Sequence, residues 1–255
     1  MAAEHTGGGH SPLAQFEIHP LVPLKLGNYD ITFTNSALMM LIAMLAITLF
    51  LTLGARRRAL VPGRWQSMAE LSYEFIANLL RDTVGNQGRR YFPFVFTLFM
   101  FVLFGNLLGL LPYSFTFTSH IIVTFVMALA IFIGVTILGF AKHGIHFFTF
   151  FVPPGVSPVM WPLLIPIEII SYLSRPVSLS VRLFANMLAG HTLLKVFAGF
   201  IPQLLGAGVA LGITGILPFV FVVALTGLEF VIAFLQAYVF AILTCLYIND
   251  ALHLH

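Results

Sequence analysis

The stretch SYLSRPVSLSVRLFANMLAGH, residues 171–191, sets two arginines, an asparagine and a histidine inside sequence otherwise fit for lipid. A guanidinium at the centre of a membrane helix costs about 2.5 to 3.5 kcal/mol on insertion scales, and it cannot escape by losing its proton. A charge kept there marks an ion or substrate path, so Arg182 is the residue around which the chain is read. The sequence on either side is apolar. Residues 157–200 and 204–249 form two runs, each about twice the ~20 residues that a perpendicular span requires. Each run either breaks into two spans at Pro166, Pro176 or Pro218, or forms one long, tilted helix with proline kinks.

Composition fixes the class. The chain is 59% hydrophobic and 8% charged, far from the roughly 25% charged residues of a soluble domain. An all-α polytopic membrane protein is expected. The formal charge of +3 does not point to nucleic acid, because the basic residues cluster at the ends of apolar runs and form no basic face. Cys245 is the only cysteine and lies in an apolar run, which excludes an intrachain disulfide and a Cys-based metal site.

Residues 1–30 are expected as an outer N-terminal segment, with Gly7–His10 disordered; they lack the pattern of a signal peptide. Residues 31–255 are expected to make a single membrane domain. Spans are expected over 31–54, 91–112 and 120–141. The first is followed by Arg56, Arg57, Arg58 and Arg64, the second is preceded by Arg89 and Arg90, and the third ends at Lys142. By the positive-inside rule these basic groups are cytoplasmic and the N-terminus is outside. Between the first two spans, residues 65–88 place Met68, Phe75, Ile76, Leu79 and Leu80 apart from Glu70, Glu74, Asn78 and Arg81. That spacing predicts an interfacial helix on the cytoplasmic leaflet.

The other intramembrane charges lie in the two long runs. Glu168, Arg175 and Arg182 are seven residues apart, so they drift only about 20° per step and share one helical face. Ser171, Ser174 and Ser178 flank that face and permit close approach of another helix. His191, nine residues beyond Arg182, falls on the opposite side. Glu229, Gln236 and Tyr247 share a face of the last run. In an antiparallel hairpin, Arg182 and Gln236 are symmetric about position 209, and His191 and Glu229 about position 210. Both centres fall in Gly206–Gly212, a glycine-rich segment suited to a turn.

At this point the segment Ser174–Gly190, with Leu235–Tyr247 and Phe104–Pro112, resembles subunit a of F-type ATP synthases, over about Ile31 to the C-terminus. The resemblance implies a non-catalytic stator protein beside a rotating ring of c subunits, supplying two offset half-channels, with the last two helices long and steeply tilted. It implies b-type peripheral-stalk subunits as further partners, the soluble ATPase head as an indirect one, and surrounding lipid, with no cofactor. Arg182 matches the family's essential arginine facing the ring carboxylates, and Gln236 the glutamine beside it. His191 and Glu229 are exchanged relative to some branches, as in the alphaproteobacterial and mitochondrial type. The implied location is the bacterial inner membrane, or alternatively the mitochondrial one, with the C-terminus cytoplasmic.

Within that frame His191 and Glu229 are assigned to the outer half-channel, and Glu168, Ser178 and Tyr247 to the cytoplasmic one. Asn186, one turn from Arg182, either bonds the arginine or joins two helices. Arg175 is read as a snorkelling anchor, with an ion pair to Glu168 as the plainer role for that acid. The loop 112–119 lacks the acidic residues some members carry, so no outer-vestibule residue is assigned there. Lys142–His146 lacks the zinc-protease pattern. A secondary transporter would show paired inverted repeats, which the two halves lack, and no Ser/His or metal constellation is spaced for an intramembrane protease.

Overall fold

Backbone amides inside a bilayer find no water, so a chain this apolar must close its hydrogen bonds within each segment. The computed structural model describes residues 16–23, 25–26, 29–30, 32–56, 62–111, 114–152, 157–206 and 216–253. Among these it has six α-helices: α1 (Asn35–Arg56), α2 (Arg64–Val84), α3 (Phe92–Gly109), α4 (Ile121–His143), α5 (Trp161–Gly206) and α6 (Ile216–Leu252). Five helical segments, with α2 and α3 counted as one, are long and apolar enough to cross a membrane. The chain is an all-α, multi-pass membrane protein.

A small β element precedes α1. Strand β1 (Pro20–Val22) pairs antiparallel with β4 (Phe33–Thr34), and β2 (Lys25–Leu26) with β3 (Tyr29–Asp30). Thr34 ends this element and caps α1, its Oγ1 accepting the Ala37 N–H at 3.4 Å. The helix therefore opens at Asn35, where the sequence pattern alone suggests a span from residue 31. Gly7–His10, Arg57 and Arg58, Pro112 and most of the expected turn within Gly206–Gly212 lie outside the described residues.

Residues 157–206 resolve the ambiguity left by the prolines. Helix α5 runs unbroken for 46 residues through Pro166, Pro176 and Pro202, about 69 Å at 1.5 Å per residue, more than twice the ~30 Å apolar core of a bilayer. Helix α6, with 37 residues, also exceeds that thickness. A helix of such length fits a bilayer by tilting or kinking.

Helix α6 is the axis of the bundle, packing against α2, α3, α4 and α5. Its buried stripe includes Ala233, Ala237 and Ala241, then Thr244, Cys245 and Ile248, a small-residue seam at helical spacing that lets neighbouring backbones approach closely. Helix α2 sends Ile76, Leu80 and Val84 into the same core and leaves Glu70, Glu74, Asn78 and Arg81 exposed. Met68, read from spacing as part of the apolar face, is 54% exposed. Phe75 packs its ring against Phe99, Phe234 and Tyr238, so α2 leans on its own chain as well as on whatever lies outside it.

The segment after α3 folds back onto that helix. Ser114 Oγ donates to the Leu108 carbonyl at 2.6 Å, and Thr116 Oγ1 to the Gly109 carbonyl at 3.2 Å. Two glycines make room: a Cβ at Gly105 would overlap the Phe117 ring, and one at Gly109 would meet Thr116 Oγ1 at 2.7 Å. Gly105→Val is expected to destabilise the chain by about 1 to 3 kcal/mol through overpacking. Gly134→Ala, where a Cβ meets nothing within 4 Å, is expected to be neutral. Thermal unfolding of the two variants in detergent checks the difference, and equal melting temperatures would refute it.

Candidate functional site

The two sides of α5 differ as the nine-residue spacing of Arg182 and His191 requires. Arg182 is exposed, in company with exposed Ser174, Ser178, Val181, Ala185 and Ala189. It makes no hydrogen bond or ion pair with a described residue, and Tyr247 lies within its electrostatic range. The result is a fixed cation on a smooth, mostly apolar face. His191, on the other side, is 9% exposed.

His191 and Glu229 meet between α5 and α6. His191 Nδ1 is 4.0 Å from Glu229 Oε2, and His191 Nε2 is 3.1 Å from Thr116 Oγ1. Among the described residues neither Glu229 carboxylate oxygen has a hydrogen-bond partner, although the residue is only 5% exposed. The carboxylate lies against the α5 backbone, and a Cβ on Gly190 would collide with Glu229 Oε1. Both residues line a cavity of about 800 Å³ that also reaches Lys195, Thr226 and Asn35. An acid and an imidazole 4.0 Å apart, beside a cavity lined by polar and apolar side chains, can exchange a proton through one bridging water.

The hairpin arithmetic sets Gln236 level with Arg182, and its hydrogen bond falls one turn along α5 from that level. Its Oε1 accepts from Asn186 Nδ2 at 3.0 Å, so Asn186 joins the two helices, and no bond connects Arg182 to Gln236. From the His191/Glu229 contact to the Asn186/Gln236 contact, α5 advances five residues and α6 seven. The helices therefore do not step one for one, and symmetry about a single centre fails with distance from the turn. Asn106 on α3 adds a third helix to this layer, donating to the Ala233 carbonyl at 3.3 Å.

Further along α5, Arg175 pairs with Asp250 at 2.9 Å. Its guanidinium carbon stands 5.6, 5.2 and 5.0 Å from the ring centres of Phe150, Tyr172 and Tyr247. Glu168 is half-buried and forms no ion pair with Arg175; Ser178 is exposed and Tyr247 half-buried. Thr116, Asn106 and Asp250 are the polar partners that sequence reasoning missed. Asp250 alone carried a signal, as the only acid after Glu229. Among the described residues no His, Cys, Asp and Glu cluster could hold a metal ion.

A multi-pass helical bundle with an exposed cation and a buried acid–imidazole pair on opposite sides of its longest helix has the layout of an ion-conducting membrane subunit. The family model of the ATP synthase A chain matches residues 37–249. The chain is 60% identical to ATP synthase subunit a of Paramagnetospirillum magneticum, over 96% of this chain and 99% of that one. It is 56% identical to the subunit a proteins of Parvibaculum lavamentivorans, over 98% and 97% of the two chains, and of Rhodospirillum rubrum, over 96% and 100%. The chain belongs to the ATP synthase A chain family.

The Arg175/Asp250 contact tests how firmly the far ends of α5 and α6 are tied. Arg175→Ala and Asp250→Ala are expected to be non-additive, with a coupling of about 1 kcal/mol for a partly exposed pair. Melting temperatures over the double-mutant cycle in detergent measure it, and strictly additive losses would show that the pair contributes nothing.

Proposed function

We propose that this chain is the stator subunit of a rotary F-type ATP synthase, which carries protons to and from the carboxylates of a c-subunit ring through two offset half-channels. It performs no bond-making step of its own. Its partners are the c-ring on the Arg182 face, peripheral-stalk subunits of the b type, and through them the soluble ATPase head. The N-terminus is outside, the C-terminus is cytoplasmic, and the membrane is a bacterial inner membrane.

The observation that carries this reading is the Arg182 cation, exposed and without a counter-ion among the described residues. An ionised carboxylate facing lipid is prohibitively costly, so a ring acid travels protonated; near Arg182 the opposite charge stabilises the carboxylate and the proton leaves. The acid must be reprotonated from the other path before it re-enters lipid, and the fixed charge between the paths prevents a short circuit. Exposed small residues beside Arg182 support close approach of the ring. His191 and Glu229, in contact at a cavity, serve the outer path. Glu168, Ser178 and Tyr247 serve the cytoplasmic one, and Gln236 with Asn186 braces the helices beside the gate. Each proton crossing 100 mV releases about 2.3 kcal/mol, so several must cross for each ATP.

Arg182→Ala is expected to abolish proton-driven ATP synthesis in vesicles while the complex still assembles. Arg182→Lys is expected to fall far below wild type, because an ammonium enclosed between this face and the ring can lose its proton. Assembled Arg182→Ala complexes that keep a substantial synthesis rate would sink the gate.

The paired path is tested separately by ATP-driven pumping in inverted vesicles. His191→Glu and Glu229→His should each slow pumping, and the double exchange should recover a substantial part of the loss. Additive losses would mean that the two groups do not act together.

A further inference from the structure

The cavity that reaches His191 and Glu229 is not closed by the membrane helices alone. Phe16, Glu17 and His19 form part of its lining, and they belong to the segment just before β1. This segment is held by a three-bond clamp at the start of α1. The Asn35 N–H donates to the His19 carbonyl at 3.2 Å, Asn35 Nδ2 donates to the Glu17 carbonyl at 3.1 Å, and the His19 N–H donates to Asn35 Oδ1 at 3.2 Å. The antiparallel pairing of β1 with β4 continues the attachment. The Phe16 ring sits 6.4 Å from the His191 ring, while Glu17 and His19 are exposed. The cavity thus has an inner end at the buried pair and an outer end edged by two proton-exchanging side chains. Lys195 and Glu17 place a cation and a carboxylate in the same lining.

We infer that Phe16–His19 is a strap forming the mouth of the outer proton path, with Glu17 and His19 the first side chains to exchange protons with the outer solution and Asn35 the residue that positions them. This rests on the outer-path role proposed for His191 and Glu229. The sequence of the strap gives no hint of it, because the contact depends on Asn35, which is distant in the chain.

The test uses membranes carrying the whole ATP synthase, with Cys245 replaced. Glu17→Cys, His19→Cys and, as a control outside the cavity lining, Leu21→Cys are treated in spheroplasts with a bulky, membrane-impermeant thiol reagent. ATP-driven proton pumping is then measured in inverted vesicles prepared from them. Labelling at positions 17 and 19 is expected to slow pumping by about fivefold or more, as obstruction of a narrow path should, and labelling at 21 to leave it near the unlabelled rate. No labelling from the outer side, complete labelling at 17 and 19 with unchanged pumping, or equal inhibition at 21 would overturn the strap. His191→Ala in the same membranes separates the two ideas. If it pumps normally, the outer-path reading itself falls; if it fails while labelled 17 and 19 pump normally, only the strap is lost. Glu17→Gln with His19→Gln, which places no bulk in the mouth, is expected to lower pumping severalfold, and Asn35→Ala to lower it in the same direction with assembly intact.

Discussion

Inside a bilayer an apolar side chain gains little by choosing a neighbouring helix over a lipid tail, so the place of every polar group depends on how closely backbones can approach. The alanines at 233, 237 and 241 of α6 provide that approach. Along this seam Asn106 reaches the Ala233 carbonyl and Asn186 reaches Gln236. Without close packing these amides would be separated polar groups in an apolar medium, each costing a few kcal/mol. The seam therefore fixes the geometry of the site as well as the bundle.

Two electrostatic solutions stand on opposite sides of α5, about two and a half turns apart. On the exposed side a guanidinium has no counter-ion among the described residues, which suits a surface completed by another molecule. On the buried side an imidazole and a carboxylate face each other, with Thr116 bonded to the ring and neither carboxylate oxygen hydrogen-bonded among the described residues. Arginine keeps its charge whatever its surroundings, whereas histidine and glutamate exchange protons readily. One helix thus holds a permanent charge and a transferable one at separated positions. Its 46-residue continuity keeps them in fixed relation.

Much of this was legible in the residues themselves. Apolar run lengths and basic flanks define the membrane segments, because the bilayer imposes its thickness on the sequence. The opposition of Arg182 and His191 follows from the 3.6-residue period, and the meeting of His191 with Glu229 agrees with the hairpin symmetry. Farther from the turn the arithmetic slips: Gln236 joins Asn186, and Arg175 joins Asp250. Spacing within one helix is set by covalent geometry, but register between two helices depends on their crossing, which no single-helix pattern encodes. The same reason hides Thr116 and the Asn35 clamp. Both are contacts between segments far apart in sequence, made through side chains with no periodic signature.

A side chain at position 190 would meet the end of the Glu229 side chain, which couples the two positions over generations. A lineage that acquires alanine at 190 displaces the carboxylate end of Glu229, and with it the distance to His191, in the same step. The two sites therefore form an epistatic unit: the effect of a change at 190 depends on which group stands at 229 and how far its end can swing.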